Sequence, residues 1–209
     1  MVAKMQNLKL SIGFLIAYSL LAPQVQGKTE KLVELKVGDK APAFIGMNDH
    51  NKKWDSQKHA GKKIHVVYFY PADMTPGCTK QACSYRDALA ELDRRDVEVI
   101  GVSGDAVENH RHFKNEYKLN FTLLSDVEGK IARAFGVPTG KGGEIERLIS
   151  GEKVALQRGV TANRWTFVID KQWRIAYKDT AVKAAEDSTQ VLKAIQKMQV
   201  SKAAASTSP

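Results

Sequence analysis

The chain has 209 residues, with 32 lysines and arginines against 23 aspartates and glutamates, which gives a formal net charge of +9. This length suits one domain with a sizeable core, since domains usually hold about 50–250 residues. The basic residues are dispersed, without an arginine-rich block or interleaved aromatic side chains, so the composition argues against a nucleic-acid partner and favours a solvated basic surface.

The first 27 residues have the pattern of a secretory signal peptide. Lys4 and Lys9 precede an uncharged run at 10–22, and small residues for cleavage end at Gly27. As a helix, this run would span about 20 Å, which is short of a hydrocarbon core of about 30 Å. We therefore expect an exported, periplasmic or secreted domain at 28–200 with a charge near +7 and no stable membrane anchor. An uncleaved anchor or a buried first helix is the alternative.

Short strands open the predicted domain. A polar, turn-rich segment predicts strands at 42–47 and 52–54, joined by a turn at 48–51. A nearly continuous apolar run at 64–70 then predicts a strand that is covered on both faces. Its polar residue, His65, is expected at the edge of the strand and without a role as a ligand.

A reactive cysteine is predicted at the turn after this strand. Pro71 interrupts the apolar run, a Pro-Gly loop follows, and Cys78 stands where a helical pattern begins. The N-terminus of a helix carries unpaired N–H groups and a partial positive charge, and both stabilise a thiolate. The position therefore favours a nucleophilic sulfur.

The second cysteine, Cys83, is five residues further along the same predicted helix. That spacing turns it about 140° around the axis and places the two Cα atoms about 8–9 Å apart. A disulfide needs less than about 7 Å, so Cys78 and Cys83 can bond only if the first turns of the helix unwind. The pair suits a redox switch, although a structural disulfide remains the alternative in an exported protein.

A helix and a strand are predicted downstream of this unit. Helical spacing continues to about Asp93, and a buried strand follows at 97–103. Asp105 and Glu108 have the spacing of a capping box at the start of another helix. His110 and His112 lie on that helix, but residues two apart point to different faces, so we expect no metal site.

The remaining elements are shorter or less regular. Strands are predicted at 121–124, 165–170 and 174–179, with a short helix at 130–135 and a closing helix around 191–198. The segment 138–159 has the least regular pattern of the chain. Its run 140–143 resembles a phosphate loop only in its glycines and is expected to be a surface turn, while 148–157 suggests an extra hairpin. Residues 201–209 are small and polar, and we expect a disordered tail.

Strands that alternate with helices and end in a hairpin and a helix indicate an α/β domain. We expect a central mixed sheet flanked by helices, in a single domain.

One stretch also resembles a known family. Pro71-Ala-Asp-Met-Thr75-Pro-Gly-Cys78 matches the P-x-x-x-T-x-x-C signature of peroxiredoxins, and the C-x4-C pair at Cys78 and Cys83 is similar to that of the peroxiredoxin Q, or bacterioferritin comigratory protein, subfamily. The resemblance extends from Val37-Gly-Asp-Lys-Ala-Pro to Arg164-Trp-Thr-Phe-Val-Ile-Asp. It implies a thioredoxin-like fold with peroxiredoxin elaborations.

The resemblance assigns a role to five residues. Cys78 would attack the peroxide, Thr75 would turn its hydroxyl toward sulfur and peroxide, and Pro71 would shield the thiolate from water. Arg164 carries fork-shaped donors suited to holding both thiolate and peroxide, and Cys83 would resolve the oxidised Cys78. Without the resemblance, Pro71 and Thr75 would be ordinary loop residues and Arg164 a surface arginine.

The implied function is a thiol peroxidase for hydrogen peroxide and organic hydroperoxides. It would need no cofactor or metal, would be recycled by a thioredoxin-like or other dithiol reductant, and would be a monomer, as many members of the subfamily are. Three alternatives are a thiol-disulfide oxidoreductase, which would normally show the absent C-x-x-C, a copper carrier that uses two cysteines and a distant histidine, and a structural exported domain.

Overall fold

The computed structural model of the chain describes residues 33–206. The predicted signal peptide at 1–27 lies outside the described residues. The strands are β1 (Ile45–Asn48), β2 (Lys53–Asp55), β3 (Ile64–Phe69), β4 (Val97–Ser103), β5 (Thr122–Ser125), β6 (Thr139–Ile149), β7 (Glu152–Ala162), β8 (Trp165–Ile169) and β9 (Ile175–Asp179). The helices are α1 (Ser56–His59), α2 (Pro76–Arg94), α3 (Val107–Tyr117), α4 (Lys130–Ala134) and α5 (Asp187–Ser206).

Seven strands form one mixed sheet in the order β2-β1-β5-β4-β3-β8-β9. The pairs β3–β4 and β4–β5 are parallel, whereas β8 pairs antiparallel with both β3 and β9. Strand β3 is therefore interior, and all six of its residues are buried, as its apolar sequence predicts. The mixed α/β sheet with flanking helices confirms the predicted fold class.

Two apolar cores lie on opposite faces of this sheet. Successive β3 residues alternate between them: Val66 and Tyr68 belong to one core, and Val67 and Phe69 to the other, because side chains along a strand point alternately to its two faces. The first core contains residues of α2, α3 and α5, and the second contains residues of α4. Helix α2, which carries both cysteines, is thus packed firmly on the centre of the sheet.

His65 differs from its predicted place. It is the second residue of β3, is fully buried, and pairs with Glu98 of β4 on one side and Ile169 of β8 on the other. It is therefore an interior residue of the sheet and does not lie at an edge, because β4 and β8 pair with β3 on its two sides.

Asp105 does not cap α3. The N-cap residue is Ala106, without a side-chain cap. The Asp105 carboxylate instead accepts hydrogen bonds from the Asp73 backbone N–H, at 3.0 Å, and the Ser103 hydroxyl, at 2.7 Å. The capping-box spacing wrongly predicted a cap because a buried carboxylate accepts hydrogen bonds from the donors that the tertiary structure places beside it.

The segment 138–159 forms most of a long hairpin, β6–β7, with eleven residues in each strand. The glycine run at 140–143 lies inside β6 and is not a turn. A Cβ atom at Gly142 would lie 2.2 Å from the carbonyl oxygen of Arg158 on the partner strand, so glycine is required for this close approach. The sequence predicted a hairpin here, but a much shorter one.

The C-terminal helix is longer than predicted. Helix α5 continues to Ser206, so 201–206 are helical where a disordered tail was expected, and 207–209 lie outside the described residues. Within 33–206, none of the helices combines the length and apolar character needed to cross a bilayer.

Candidate active site

The loop between β3 and α2 leads directly into a long helix, and Cys78 lies at the start of that helix. Thr75 is the N-cap residue of α2, and Pro76 occupies the first helical position, where its missing N–H leaves no donor unpaired. Cys78 is the third helical residue and is only 1% exposed. Its sulfur therefore lies within the first turn, where the helix dipole stabilises negative charge.

Arg164 points its guanidinium at this sulfur. Its Nη2 donates to Cys78 Sγ at 3.2 Å. The residue immediately precedes β8, and Trp165 at the start of β8 pairs with Phe69 at the end of β3. Because β8 runs antiparallel to β3, its first residues lie beside the loop that follows β3. Strand pairing thus places the arginine over the cysteine.

Gln81 holds Arg164 from the other side. Arg164 Nη1 donates to Gln81 Oε1, and Gln81 Nε2 donates to Asp187 Oδ2 at 2.6 Å. The same carboxylate oxygen accepts from Tyr85 at 2.8 Å and from Thr166 at 2.9 Å. Gln81 is one turn after Cys78 on α2, so a fully buried amide links the guanidinium to a buried carboxylate.

Asp187 is the buried end of this chain of hydrogen bonds. Burial raises its pKa above the usual range, and the hydrogen bonds from Gln81, Tyr85 and Thr166 offset only part of that effect. Neither Gln81 nor Asp187 was singled out from the sequence. The spacing of three residues between Cys78 and Gln81 was the available signal, since it places both on one face of a helix.

Thr75 and Pro71 lie in the loop as predicted. The Thr75 hydroxyl donates to the Ala72 carbonyl at 3.0 Å, and it does not cap α2. Its proton is therefore directed to the loop backbone, in contrast to the predicted orientation toward the sulfur, and its oxygen lone pairs can accept a hydrogen bond. Pro71 is half-buried at the start of the same loop.

Both cysteines are free thiols on one continuous helix. Cys83 is half-buried, and α2 runs without interruption from Pro76 to Arg94. The helical placement of the pair is thus confirmed, and with it the geometric requirement that α2 open before the two sulfurs can bond.

The family of the chain follows from comparison with known proteins. The AhpC/TSA family matches residues 37–178, which include the whole loop and Arg164. The chain belongs to the AhpC/TSA family. A chloroplastic peroxiredoxin Q from Suaeda salsa is 43% identical over 124 residues, which cover 58% of each chain. Peroxiredoxin Bcp from Bacillus subtilis is 35% identical over 164 residues, 78% of this chain and 97% of that protein.

A solved structure has the same fold. The bacterioferritin comigratory protein of Xanthomonas campestris, described in terms of alkyl peroxide reduction, superposes with a TM-score of 0.61 and 28% identity, over 74% of this chain and 91% of that one. Its similarity confirms the thioredoxin-like peroxiredoxin fold. The chain spans only 57 to 60% of the length of four plant relatives.

A second buried network braces the loop between β3 and α2 in this AhpC/TSA member. Asp73 accepts from the Tyr70 hydroxyl at 2.7 Å and contacts His110 Nδ1 at 2.7 Å. Burial lowers the pKa of His110, but the Asp73 and Asp105 carboxylates raise it by more. Burial, followed by the charge of Asp73, raises the pKa of Asp105 to about 6. Through its contact with Asp73, His110 therefore anchors the loop between β3 and α2 to α3.

The β6–β7 hairpin also contacts the loop between β3 and α2. Arg147 Nε donates to the Met74 carbonyl at 3.0 Å, and Met74 has the left-handed φ of 57°. Ile149 and Leu156 from the hairpin belong to the same apolar core as Cys78. The hairpin thus stabilises an unusual backbone conformation one residue before Thr75 and forms part of the apolar surroundings of the cysteine.

Proposed function

We propose that the chain is a thiol peroxidase in which Cys78 reduces hydrogen peroxide and organic hydroperoxides. The single observation that carries the proposal is the Arg164 guanidinium 3.2 Å from a buried sulfur in the first turn of α2. This arrangement supplies a stabilised nucleophile and fixed donors for the oxygen that leaves, and the reaction needs both. The names of the peroxiredoxin Q and Bcp relatives and of the Xanthomonas structure support it.

The first step transfers one oxygen atom to sulfur. The Cys78 thiolate attacks the nearer peroxide oxygen, an S–O bond forms as the O–O bond breaks, and the other oxygen leaves as hydroxide or alkoxide that takes up a proton. Arg164 stabilises the charge on that oxygen. Thr75, whose proton is directed to Ala72, can accept a hydrogen bond from the peroxide O–H. Pro71 keeps water from the thiolate.

The second step uses Cys83. Its thiolate attacks the sulfur of the Cys78 sulfenic acid, an S–S bond forms, and water leaves after protonation of the departing hydroxide. The first turns of α2 must unwind for this step because an intact helix holds the two residues too far apart. An external dithiol, of the thioredoxin type, then reduces the disulfide to two thiols and is itself oxidised.

Peroxide titration followed by mass spectrometry tests this assignment directly. The purified mature protein should acquire one disulfide between Cys78 and Cys83 for each equivalent of peroxide and should recover both thiols after addition of a dithiol. An unchanged mass at both cysteines in the presence of peroxide would favour a structural role.

A monomer is proposed as well, and sedimentation of reduced and oxidised protein tests it.

We also propose that residues 1–27 are a targeting segment that is removed, leaving a chain that begins near Lys28. The support is the basic and apolar pattern, which resembles a secretory signal. Plant relatives are chloroplastic, so a plastid is the alternative destination. N-terminal sequencing of protein from separated compartments tests the proposal. Exported protein whose sequence still begins at Met1 would overturn it.

A further inference from the structure

Three potential metal ligands meet at the end of β3 that is remote from the loop between β3 and α2. His65 and Glu98 are directly paired in the parallel register of β3 and β4. His59, the last residue of α1, approaches the same carboxylate. His59 Nδ1 lies 3.1 Å from Glu98 Oε2, and His65 Nε2 lies 3.4 Å from the same oxygen. One ligand atom from each residue lies within 4.8 Å of the other two.

These separations fit a tetrahedral site. With metal–ligand distances of about 2.0–2.2 Å, two ligands of a tetrahedral zinc ion lie about 3.3–3.6 Å apart. The separations of 3.1 and 3.4 Å from Glu98 Oε2 are close to this edge length. The third separation, between the two imidazoles, is no more than 4.8 Å, and His59 lies at the edge of the cluster with 34% of its side chain exposed.

The buried imidazole of His65 provides a second, independent observation that points to a metal ligand. Its side chain is fully buried, and neither ring nitrogen has a hydrogen-bond partner among residues 33–206. The approach of Nε2 to Glu98 at 3.4 Å is therefore an electrostatic contact without the alignment of a hydrogen bond. A buried polar group without a partner is unfavourable, and a metal ion between Nε2 and the carboxylate would satisfy both.

The surrounding aromatic residues fix the ligands in place. Trp54 Nε1 donates to Glu98 Oε1 at 3.4 Å, which leaves Oε2 directed at the histidines. The Trp54 ring also stacks on His59 with centroids 4.3 Å apart, and Trp173 packs edge-on against His65 at 5.2 Å. Such outer contacts hold ligands in the orientation that a metal requires. Solvent can reach the site, since 23% of the Glu98 side chain is exposed.

We propose that His59, His65 and Glu98 bind one divalent transition-metal ion of the zinc class, with a solvent water as fourth ligand. Two imidazoles and one carboxylate are a donor set suited to zinc, and a set of three protein ligands leaves one position open. From the sequence, we expect no metal site at His110 and His112 and no ligand role for His65. The proposal departs from the expectation for His65 because that residue lies inside the sheet beside Glu98. The proposed site uses residues from α1, β3 and β4, which only the fold brings together.

Zinc titration of a chain without cysteines tests the proposal. The full mature chain carrying Cys78→Ser and Cys83→Ser excludes binding by thiolates, and calorimetry should then show one Zn²⁺ per chain. His59→Gln in this background should weaken binding at least tenfold, because one of three protein ligands is removed. The matched control, His112→Gln, changes a half-buried histidine on α3 and should leave the affinity within twofold.

Cobalt provides a second readout that does not depend on affinity alone. Co²⁺ in the same background should give the visible absorption of a tetrahedral nitrogen and oxygen site, and Glu98→Gln should abolish it. The proposal is overturned by the absence of saturable binding in the parent chain, by equal affinity in His59→Gln and parent, or by a cobalt spectrum that Glu98→Gln leaves unchanged. Each of these results would reduce the cluster to an ion pair between Glu98 and its histidines.

Discussion

Arg164 Nη2 lies 3.2 Å from Cys78 Sγ, although the two residues are 86 positions apart in the chain. The contact depends on the antiparallel pairing of β3 with β8, which places Trp165 beside Phe69. It also depends on Gln81, which accepts a hydrogen bond from the same guanidinium. Sheet and helix thus hold the arginine from two directions.

Replacing Arg164 with lysine should slow peroxide reduction. Lysine retains the charge but loses the fork that can donate to sulfur and peroxide together, so we expect a loss of about tenfold or more, roughly 1.4 kcal/mol of transition-state stabilisation. Stopped-flow measurement of the second-order rate constant checks this. Arg174→Lys is the matched control, because Arg174 donates to the Gly38 carbonyl. Equal rate constants in Arg164→Lys and the parent chain would remove Arg164 from the mechanism.

Replacing Cys78 with serine should abolish peroxide consumption and preserve the fold, because a hydroxyl of similar size is a far weaker nucleophile than a thiolate. Peroxide loss and circular dichroism give the two readouts. Cys83→Ser is the informative comparison: it should complete one turnover and then accumulate sulfinic acid at Cys78 as peroxide rises. Turnover that persists in Cys78→Ser would contradict the assignment.

Formation of the disulfide should expose the start of α2. Since an intact helix places the two Cα atoms about 8–9 Å apart and a disulfide needs less than about 7 Å, the turns from Thr79 to Tyr85 must open. Hydrogen exchange of these amides should be faster in oxidised than in reduced protein, while the last turns of α2 serve as an internal control. Equal protection in both states, with the bond confirmed, would mean that another movement brings the sulfurs together.

Removal of the Arg147 side chain should make the loop between β3 and α2 less stable. Arg147→Ala takes a donor from the Met74 carbonyl, and a hydrogen bond from a charged group typically contributes about 1.5–3 kcal/mol. We expect a several-fold lower rate constant and faster amide exchange at 72–75. Arg133→Ala is the control, since Arg133 donates to the exposed carbonyl of Glu128. If both variants behave alike, the hairpin has no specific influence on the site.

Asp105 should make stability depend on pH. Its pKa is raised from 3.8 to about 6 in the folded protein, so the folded state binds this proton more tightly than the unfolded chain does. Its contribution to stability is fully present below about pH 4 and is lost as the pH rises through 6. The parent chain should therefore lose about 2 kcal/mol relative to Asp105→Asn between pH 4 and pH 7.5.

Urea denaturation of both proteins at several pH values measures this difference. The comparison cancels the titration of groups that Asp105 does not influence, whereas His110, whose pKa the Asp105 carboxylate helps to raise, contributes to the difference. The comparison does not depend on which protein is more stable at a given pH. A difference in unfolding free energy that stays constant from pH 4 to 7.5 would show that Asp105 ionises in the folded protein as it does in the unfolded chain.

Local patterns in the sequence determined much of the fold. The buried strand at Val97–Ser103 was predicted with its observed bounds, and β3, α2 and β8 differ from prediction by a few residues at most. These elements could be predicted because apolar spacing and turn residues report directly on strand and helix periods. The cysteine at the start of α2 followed from the same local signals, and the motif resemblance supplied Thr75, Pro71 and Arg164.

The tertiary structure alone decided how distant residues combine. Gln81 with Asp187, Arg147 with Met74, and His65 with Glu98 lie together only because particular strands and helices are neighbours. The same cause explains the corrected expectations. Asp105 bridges to the Asp73 backbone N–H, and His65 lies inside the sheet, because a buried polar side chain takes the surroundings that strand pairing and packing impose, and sequence spacing carries no record of those pairings.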